Sequence, residues 1–448
     1  MRSATTIPYV VGLVLATALA CNPSRRIAKA FDADPTYAQA FSAIVVRDLA
    51  TGKTLIERNA DKLFTPASNV KLLTAATCLA WLPQDSVPAL AYRIDGDTLR
   101  LWALAYPDLG ANEAPYNERI RNTIATWPGR VELSLHGYRN LPRFGEGWMW
   151  DDYPYDFMRE RSGLPLYRNV ASAYRKPTSA VIDSSAAARR EPFGSRPDFL
   201  AIRQSGNVRP GRLERVEASN RYYANPTLAP GDTATAPLYS ANALAAQLLE
   251  DWTGRPIPFH NEPLPADWGS RVYNGEPRDS LLRDMLVPSD NFLAEQLLLM
   301  AGLYAADLTP PAAIRAKARK DVLGLSDAEL AWADASGLSH YNLVTPRAMA
   351  GLIVKLANAY GLGLLQRILP AGGESGTIRG FYDARQGERP FVFAKTGTLR
   401  HNHNLTGLLR ADSGRWLAFS MMHNHFRGSA AEYKAAMAKT LVQLAREY

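Results

Sequence analysis

Residues 41–58, FSAIVVRDLATGKTLIER, open with a β-branched run, break at Thr51-Gly52 and resume as a second mixed run. That pattern predicts a β-hairpin. FTPASNVKLLTAATCLAWL (64–82) follows, several turns of mostly apolar positions behind Thr65-Pro66. Proline suits the first turn of a helix and threonine its N-cap. From about Ala91 the texture changes. Short predicted strands punctuated by Gly, Pro and aromatic residues dominate, at 130–135, 147–157 (GWMWDDYPYDF) and 180–183. Helical spacing returns in YSANALAAQLLEDW (239–252) and continues over 281–304, 311–319 and 346–359. The chain then reads as strands at 391–397, 404–410 and 415–426 and a last helix at 429–446.

This layout predicts an α/β (α+β) domain in two pieces, 35–92 and 236–448, carrying an inserted, mostly β module over 93–235. Composition agrees with a globular chain: 448 residues, 47% hydrophobic and 21% charged. The leader has a different character. Behind Arg2 runs VVGLVLATALA (10–20), too short to span a membrane but suited to a signal-peptide core. Residues 1–20 therefore read as a signal peptide and 21–34 as a polar tether. Ala18-Leu19-Ala20-Cys21 fits either ordinary Ala-x-Ala cleavage or lipoprotein processing with a lipid on Cys21. Either way the expected location is the periplasm or cell envelope, with membrane contact only through that lipid. Cys78, the other cysteine, falls inside the apolar helix and reads as core. The net charge of +8 is scattered, with no basic stripe interleaved with aromatics. Nucleic acid is not an expected partner.

Candidate chemistry sits in three short stretches. Ser68 and Lys71 share one face of a helical first turn, where free N–H groups favour developing negative charge. A neutral lysine there can take the serine proton; taken alone, the Ser-x-x-Lys pattern reads more readily as a capped helix start. Ser289-Asp290-Asn291 precedes another apolar helix. Its cap reading competes with one in which Ser289 relays a proton, Asn291 holds the lysine and a substrate amide, and Asp290 points away. Lys395-Thr396-Gly397-Thr398 ends an apolar strand. A strand edge can pair with a peptide, a lysine and hydroxyls can bind its carboxylate, and Gly397 permits close approach.

Ser-x-x-Lys, Ser-Asp-Asn and Lys-Thr-Gly, in that order, are the signature of serine β-lactamases and penicillin-binding proteins. Ser68 and Ser289 lie 221 positions apart, and Ser289 and Lys395 106. The long first gap, and stretches such as SDNFLAEQLLLMAG (289–302), DASGLSHYNLVTP (334–346) and LPAGGESGTIRG (369–380), resemble the class C low-molecular-mass penicillin-binding proteins. That D-alanyl-D-alanine carboxypeptidase/endopeptidase family has a domain inserted after its serine helix. Ala335 departs from the glycine usual there. The resemblance implies a transpeptidase-like antiparallel sheet covered by helices and acyl transfer through Ser68, with Lys71 as base. Ser289 and Lys395 would pass the proton on, Asn291 would assist, and Thr396, Gly397 and Thr398 would bind substrate. The N–H groups of Ser68 and Thr398 would form the oxyanion hole. Peptidoglycan stem peptides are the implied partners and β-lactams the implied covalent inhibitors; no cofactor and no metal is implied.

Other features stay open. His401-Asn402-His403 and His423-Asn424-His425 either converge on a metal or form polar strand ends. Trp148, Trp150, Tyr153 and Tyr155 either stack on sugars or pack the insert onto the core. A catalytically idle peptidoglycan-binding or β-lactam-sensing relative, and an esterase or D-aminopeptidase, are the competing functions.

Overall fold

The computed structural model describes residues 23–175, 193–229, 231–306, 310–383 and 389–448. At its centre is an antiparallel sheet of β1 (Phe41–Asp48), β2 (Thr54–Arg58), β3 (Val392–Leu399), β4 (Asn402–Arg410) and β5 (Trp416–Asn424). The spatial order is β3-β4-β5-β1-β2. β4 and β5 are buried along nearly their whole length. A strand covered on both faces reads as a continuous apolar run, which is how 404–410 and 415–426 look in sequence.

Helices cover both faces. They are α1 (Pro23–Ala33), α2 (Lys71–Trp81), α3 (Asn291–Ala306), α4 (Pro346–Tyr360) and α5 (Ala430–Glu447). The two-residue period of β1 divides its side chains between the layers. Ile44 and Val46 join Ile27 and Phe31 of α1 and Tyr433, Met437 and Leu441 of α5. Ala43 faces the larger core with Leu72 and Leu79 of α2, and Val45 meets Ala350 of α4. Burying each such large aliphatic side chain stabilises by about 1.5–3 kcal/mol.

The expected tether over 21–34 is corrected here. Residues 23–33 form α1, which Ile27, Ala28 and Phe31 bury against the sheet. Arg26 pairs with Glu447 at 2.9 Å, and Ser24 bonds Tyr448 at 2.6 Å. The segment is polar on average, and that average hides a narrow apolar stripe. The signal peptide and Cys21 lie outside the described residues. The helix predicted over 281–304 is two, Arg278–Leu286 and α3. Pro288 cannot continue the first, and Asp290 Oδ1 caps the second by accepting from Leu293 N at 2.9 Å.

Between 88 and 274 the chain builds three smaller sheets. One orders Val272–Asn274, Pro88–Asp95, Thr98–Ala103 and Val131–Ser134, so the outgoing and returning strands pair with each other. The 147–157 stretch is no strand but a 3-10 turn at Trp150–Asp152, and 180–183 lies outside the described residues. A helix at Pro115–Ala125 escapes the sequence reading, although Tyr116, Ile120 and Ile124 recur at four-residue spacing and are buried. No single helix among the described residues is long and apolar enough to cross a membrane.

Candidate active site

Ser68 sits in a 3-10 turn, Ala67–Val70, that runs into α2 at Lys71. The predicted N-cap role of Thr65 is not found, because the turn has no side-chain cap. Thr65 is instead gripped through its backbone. Its N–H donates to Asn424 Oδ1 at 2.7 Å, and its carbonyl accepts from Asn404 Nδ2 at 3.0 Å. Asn69 Nδ2 ties the turn to Thr406 of β4 at 2.9 Å. Ala67 has φ +49°, a strained value for a residue with a Cβ. Two glycines press on this turn. A Cβ on Gly337 would lie 1.9 Å from Ala67 O, and one on Gly397 2.1 Å from Pro66 O. The close approach at Gly397 is therefore to the serine turn, where the sequence reading expected substrate. Gly397→Ala must push the turn off β3 and is expected to destabilise by about 1–3 kcal/mol, read from the urea midpoint.

Lys71 is fully buried, and its Nζ lies 3.1 Å from Ser68 Oγ, 2.6 Å from Asn291 Oδ1 and 2.6 Å from the Ser336 carbonyl. Asn291 Nδ2 donates to the Phe157 carbonyl at 3.0 Å, which fixes its amide orientation. A neutral amine has two N–H groups and one lone pair. Two of its three neighbours are oxygens that can only accept, so the lone pair is left for the Ser68 hydroxyl. Burial pulls the Lys71 ammonium down to about 8, against the opposing pull of Asp334, Asp290 and Glu295.

Lys395, also fully buried, places Nζ 2.8 Å from Ser289 Oγ and 2.9 Å from the Thr396 carbonyl. Burial and then the neighbouring Lys71 charge hold its ammonium well below the usual lysine range. Ser289 has φ +65°, the turn that aims its hydroxyl back at Lys395. β3 is an edge strand of its sheet. Ala394 N bonds outward to Pro370 O at 3.0 Å. By the two-residue repeat the backbone N–H groups of Thr396 and Thr398 face the same outer side. The Thr396 hydroxyl bonds Thr377 at 2.6 Å, and the Thr398 hydroxyl bonds His403 Nδ1 at 2.8 Å. Ser68, Lys71, Ser289, Asn291, Lys395, Thr396, Gly397 and Thr398 thus lie together where the serine turn, the start of α3 and the end of β3 meet. Asp290 is turned away, as expected, into its capping role.

Sequence reasoning missed the frame behind them. Asp334 accepts from Gly337 N, Ser339 N and Trp148 Nε1 at 2.7–2.8 Å, shaping the turn that offers the Ser336 carbonyl. Glu295 accepts from Ala335 N and Ser336 N at 3.0 and 2.9 Å and pairs with Arg161. DASGLSHYNL carried the signal, as acidic, small and amide residues packed into one short loop. The two His-Asn-His stretches fall at the start of β4 and the end of β5: Asn424 holds the Thr65 backbone, Asn402 Nδ2 donates to the Arg400 carbonyl at 3.2 Å, and His423 stacks on Tyr37. Among the described residues no group of three or more His, Cys, Asp or Glu is set to hold a metal. Trp148 packs the 147–157 segment onto the Asp334 loop, whereas Trp150 is exposed.

Comparison with known proteins gives a consistent result. The model of the D-Ala-D-Ala carboxypeptidase 3 (S13) family matches residues 24–87 and 272–448, more than half of the chain. A D-alanyl-D-alanine carboxypeptidase of Actinomadura sp. (strain R39) is 27% identical over 438 residues, covering 89% of this chain and 80% of that protein. The crystal structure of penicillin binding protein 4 from Haemophilus influenzae shares the fold, with a TM-score of 0.68 at 19% identity. The match covers 93% of this chain and 98% of that one. The same protein complexed with a novel β-lactam aligns at a TM-score of 0.60 and 19% identity, over 91% of this chain and 95% of that one.

Proposed function

The chain belongs to the D-Ala-D-Ala carboxypeptidase 3 (S13) family, a family of serine-type carboxypeptidases, and from that premise we propose how this cleft works and on what. The substrate is a peptidoglycan stem peptide ending in D-alanyl-D-alanine, or a D-amino-acid cross-link. The observation that carries the reading is the Lys71 amine, 3.1 Å from Ser68 Oγ with its other two contacts to carbonyl oxygens. Lys71 takes the Ser68 proton as Oγ attacks the carbonyl. The N–H groups of Ser68 and Thr398 receive the oxyanion, a contribution often worth about 3–4 kcal/mol in acyl transfer. The C–N bond then breaks. Lys71, through Ser289 and its partner Lys395, returns a proton to the departing amine. Water hydrolyses the resulting ester and regenerates Ser68. Thr396, Thr398 and Lys395 hold the terminal carboxylate, and Asn291 bonds the substrate amide. A β-lactam ring presents the same carbonyl and carboxylate, so it acylates Ser68; the Haemophilus neighbour seen with a β-lactam is in keeping with this.

The decisive experiment is a turnover panel of D-Ala-D-Ala peptides, cross-linked muropeptides and simple esters. Release of D-alanine supports the reading. Ester cleavage alone, or no turnover with a folded chain, points to an esterase or an idle binding relative. The pH profile follows from Lys71. Only its neutral form is a base, so acylation by penicillin is expected to rise about tenfold per unit up to pH about 8 and level off above it. A rate that falls over that range would contradict the base assignment.

We also propose that the catalytic domain is discontinuous and that the inserted module is wider than 93–235. Pairing of Pro88–Asp95 with Val272–Asn274 supports boundaries near 88 and 272, where the family match also stops and resumes. Export of the chain, with or without a lipid on Cys21, fits a substrate in the cell envelope.

A further inference from the structure

Thr398 is exposed on the outer edge of β3, and its Oγ1 lies 2.8 Å from Nδ1 of His403, the residue opposite it on β4. His403 is fully buried, and its Nε2 meets no hydrogen-bond partner among the described residues. Across β4 and β5 it is paired with His423, whose Nδ1 bonds Ser42 Oγ at 2.9 Å and whose own Nε2 is equally without a partner. A neutral imidazole carries its single proton on one nitrogen. A buried N–H with nothing to accept it is the rarer and costlier defect; a bare lone pair is better tolerated. The proton therefore belongs on Nδ1, the nitrogen that has a partner. Nδ1–H then donates to Thr398 Oγ1 and occupies a lone pair, which leaves the hydroxyl proton free to turn outward. The other tautomer would draw that proton inward and present oxygen lone pairs to an anion.

We infer that His403 is a positioning residue that fixes Thr398 as a hydrogen-bond donor toward the cleft and so sets the preference for substrates ending in a free carboxylate. The inference rests on the reading that Thr398 holds the terminal carboxylate. It distinguishes His403 from a histidine that merely fills the core, because its effect falls on one functional group of the substrate. A hydrogen bond to a charged group contributes enough for a roughly 10- to 100-fold effect.

Two measurements on the full chain test it. The first compares kcat and KM for a D-Ala-D-Ala peptide with those for its C-terminal amide. Wild type is expected to favour the acid, and Thr398→Val to lose roughly tenfold of that preference. His403→Leu is expected to lose a similar share, mainly through KM for the acid, with little further loss in the double variant. His403→Asn, which can keep an N–H near the Nδ1 position, is expected to restore part of it. If Thr398→Val loses the preference and His403→Leu keeps it, or loses acid and amide turnover alike, the inference is overturned while the carboxylate reading stands. If wild type shows no preference, both fall. The second measurement needs no variant to fold. A ¹⁵N-histidine NMR spectrum of wild type is expected to show His403 protonated on Nδ1, and a proton on Nε2 overturns the inference.

Discussion

Ser68→Ala is expected to abolish covalent labelling by a fluorescent penicillin and to lower peptide turnover by roughly 10⁴-fold or more. The magnitude follows from losing the atom that forms the acyl bond, so only binding and the oxyanion donors remain to act on water. The variant isolates chemistry from folding. Among the described residues Ser68 Oγ has one hydrogen-bond contact, to Lys71 Nζ, and the turn around it is held by other groups. Those groups are the Thr65 backbone, Asn69 and the two glycine contacts. Its circular dichroism and urea midpoint are therefore expected to match wild type, with a stability change within about 0.5 kcal/mol. Labelling that persists in a folded Ser68→Ala chain would move the nucleophile elsewhere. Lys71→Met is a less clean experiment, because it strips a partner from both Asn291 Oδ1 and the Ser336 carbonyl.

The sequence carried local information well. The hairpin at 41–58, α4, α5 and the last three strands stand close to where their periodicity places them. The eight candidate residues were legible because a serine, a lysine and a Lys-Thr-Gly strand end must each occupy a particular place on an element. What stayed hidden is what long-range contact decides. α1 is polar on average, and only its docking onto β1 and α5 makes Ile27 and Phe31 a core face. Thr65 has the chemistry of an N-cap, but Asn404 and Asn424, more than 300 positions away in sequence, claim its backbone first. Glu295 looked like one more polar residue on an apolar helix. Its partners come from Ala335, Ser336 and Arg161, none of them within reach of a local pattern.

Arg161→Met is expected to destabilise the protein by about 3–5 kcal/mol, the usual cost of leaving one member of a buried ion pair without its counter-charge. Arg161 and Glu295 are 3% and 2% exposed, with Nη2 2.7 Å and Nε 2.9 Å from Oε2. Arg161 also donates to the Phe144 carbonyl at 3.0 Å and lies over the Trp148 ring, so it joins the 147–157 segment to the core. Methionine fills the space and removes the charge. The damage should reach the cleft. With Arg161 gone, Glu295 loses the ion pair that anchors it beneath the Ala335 and Ser336 N–H groups. The carbonyl that holds Lys71 belongs to that same Ser336. Arg161→Met is thus expected to slow penicillin acylation as well as to lower the urea midpoint. Arg161→Met/Glu295→Gln removes both charges and keeps an acceptor for the two N–H groups. It is expected to recover about 1–3 kcal/mol relative to the sum of the single changes. A loss under about 1 kcal/mol for Arg161→Met, or strict additivity in the double variant, would mean that the pair does not hold the Ser336 turn in place.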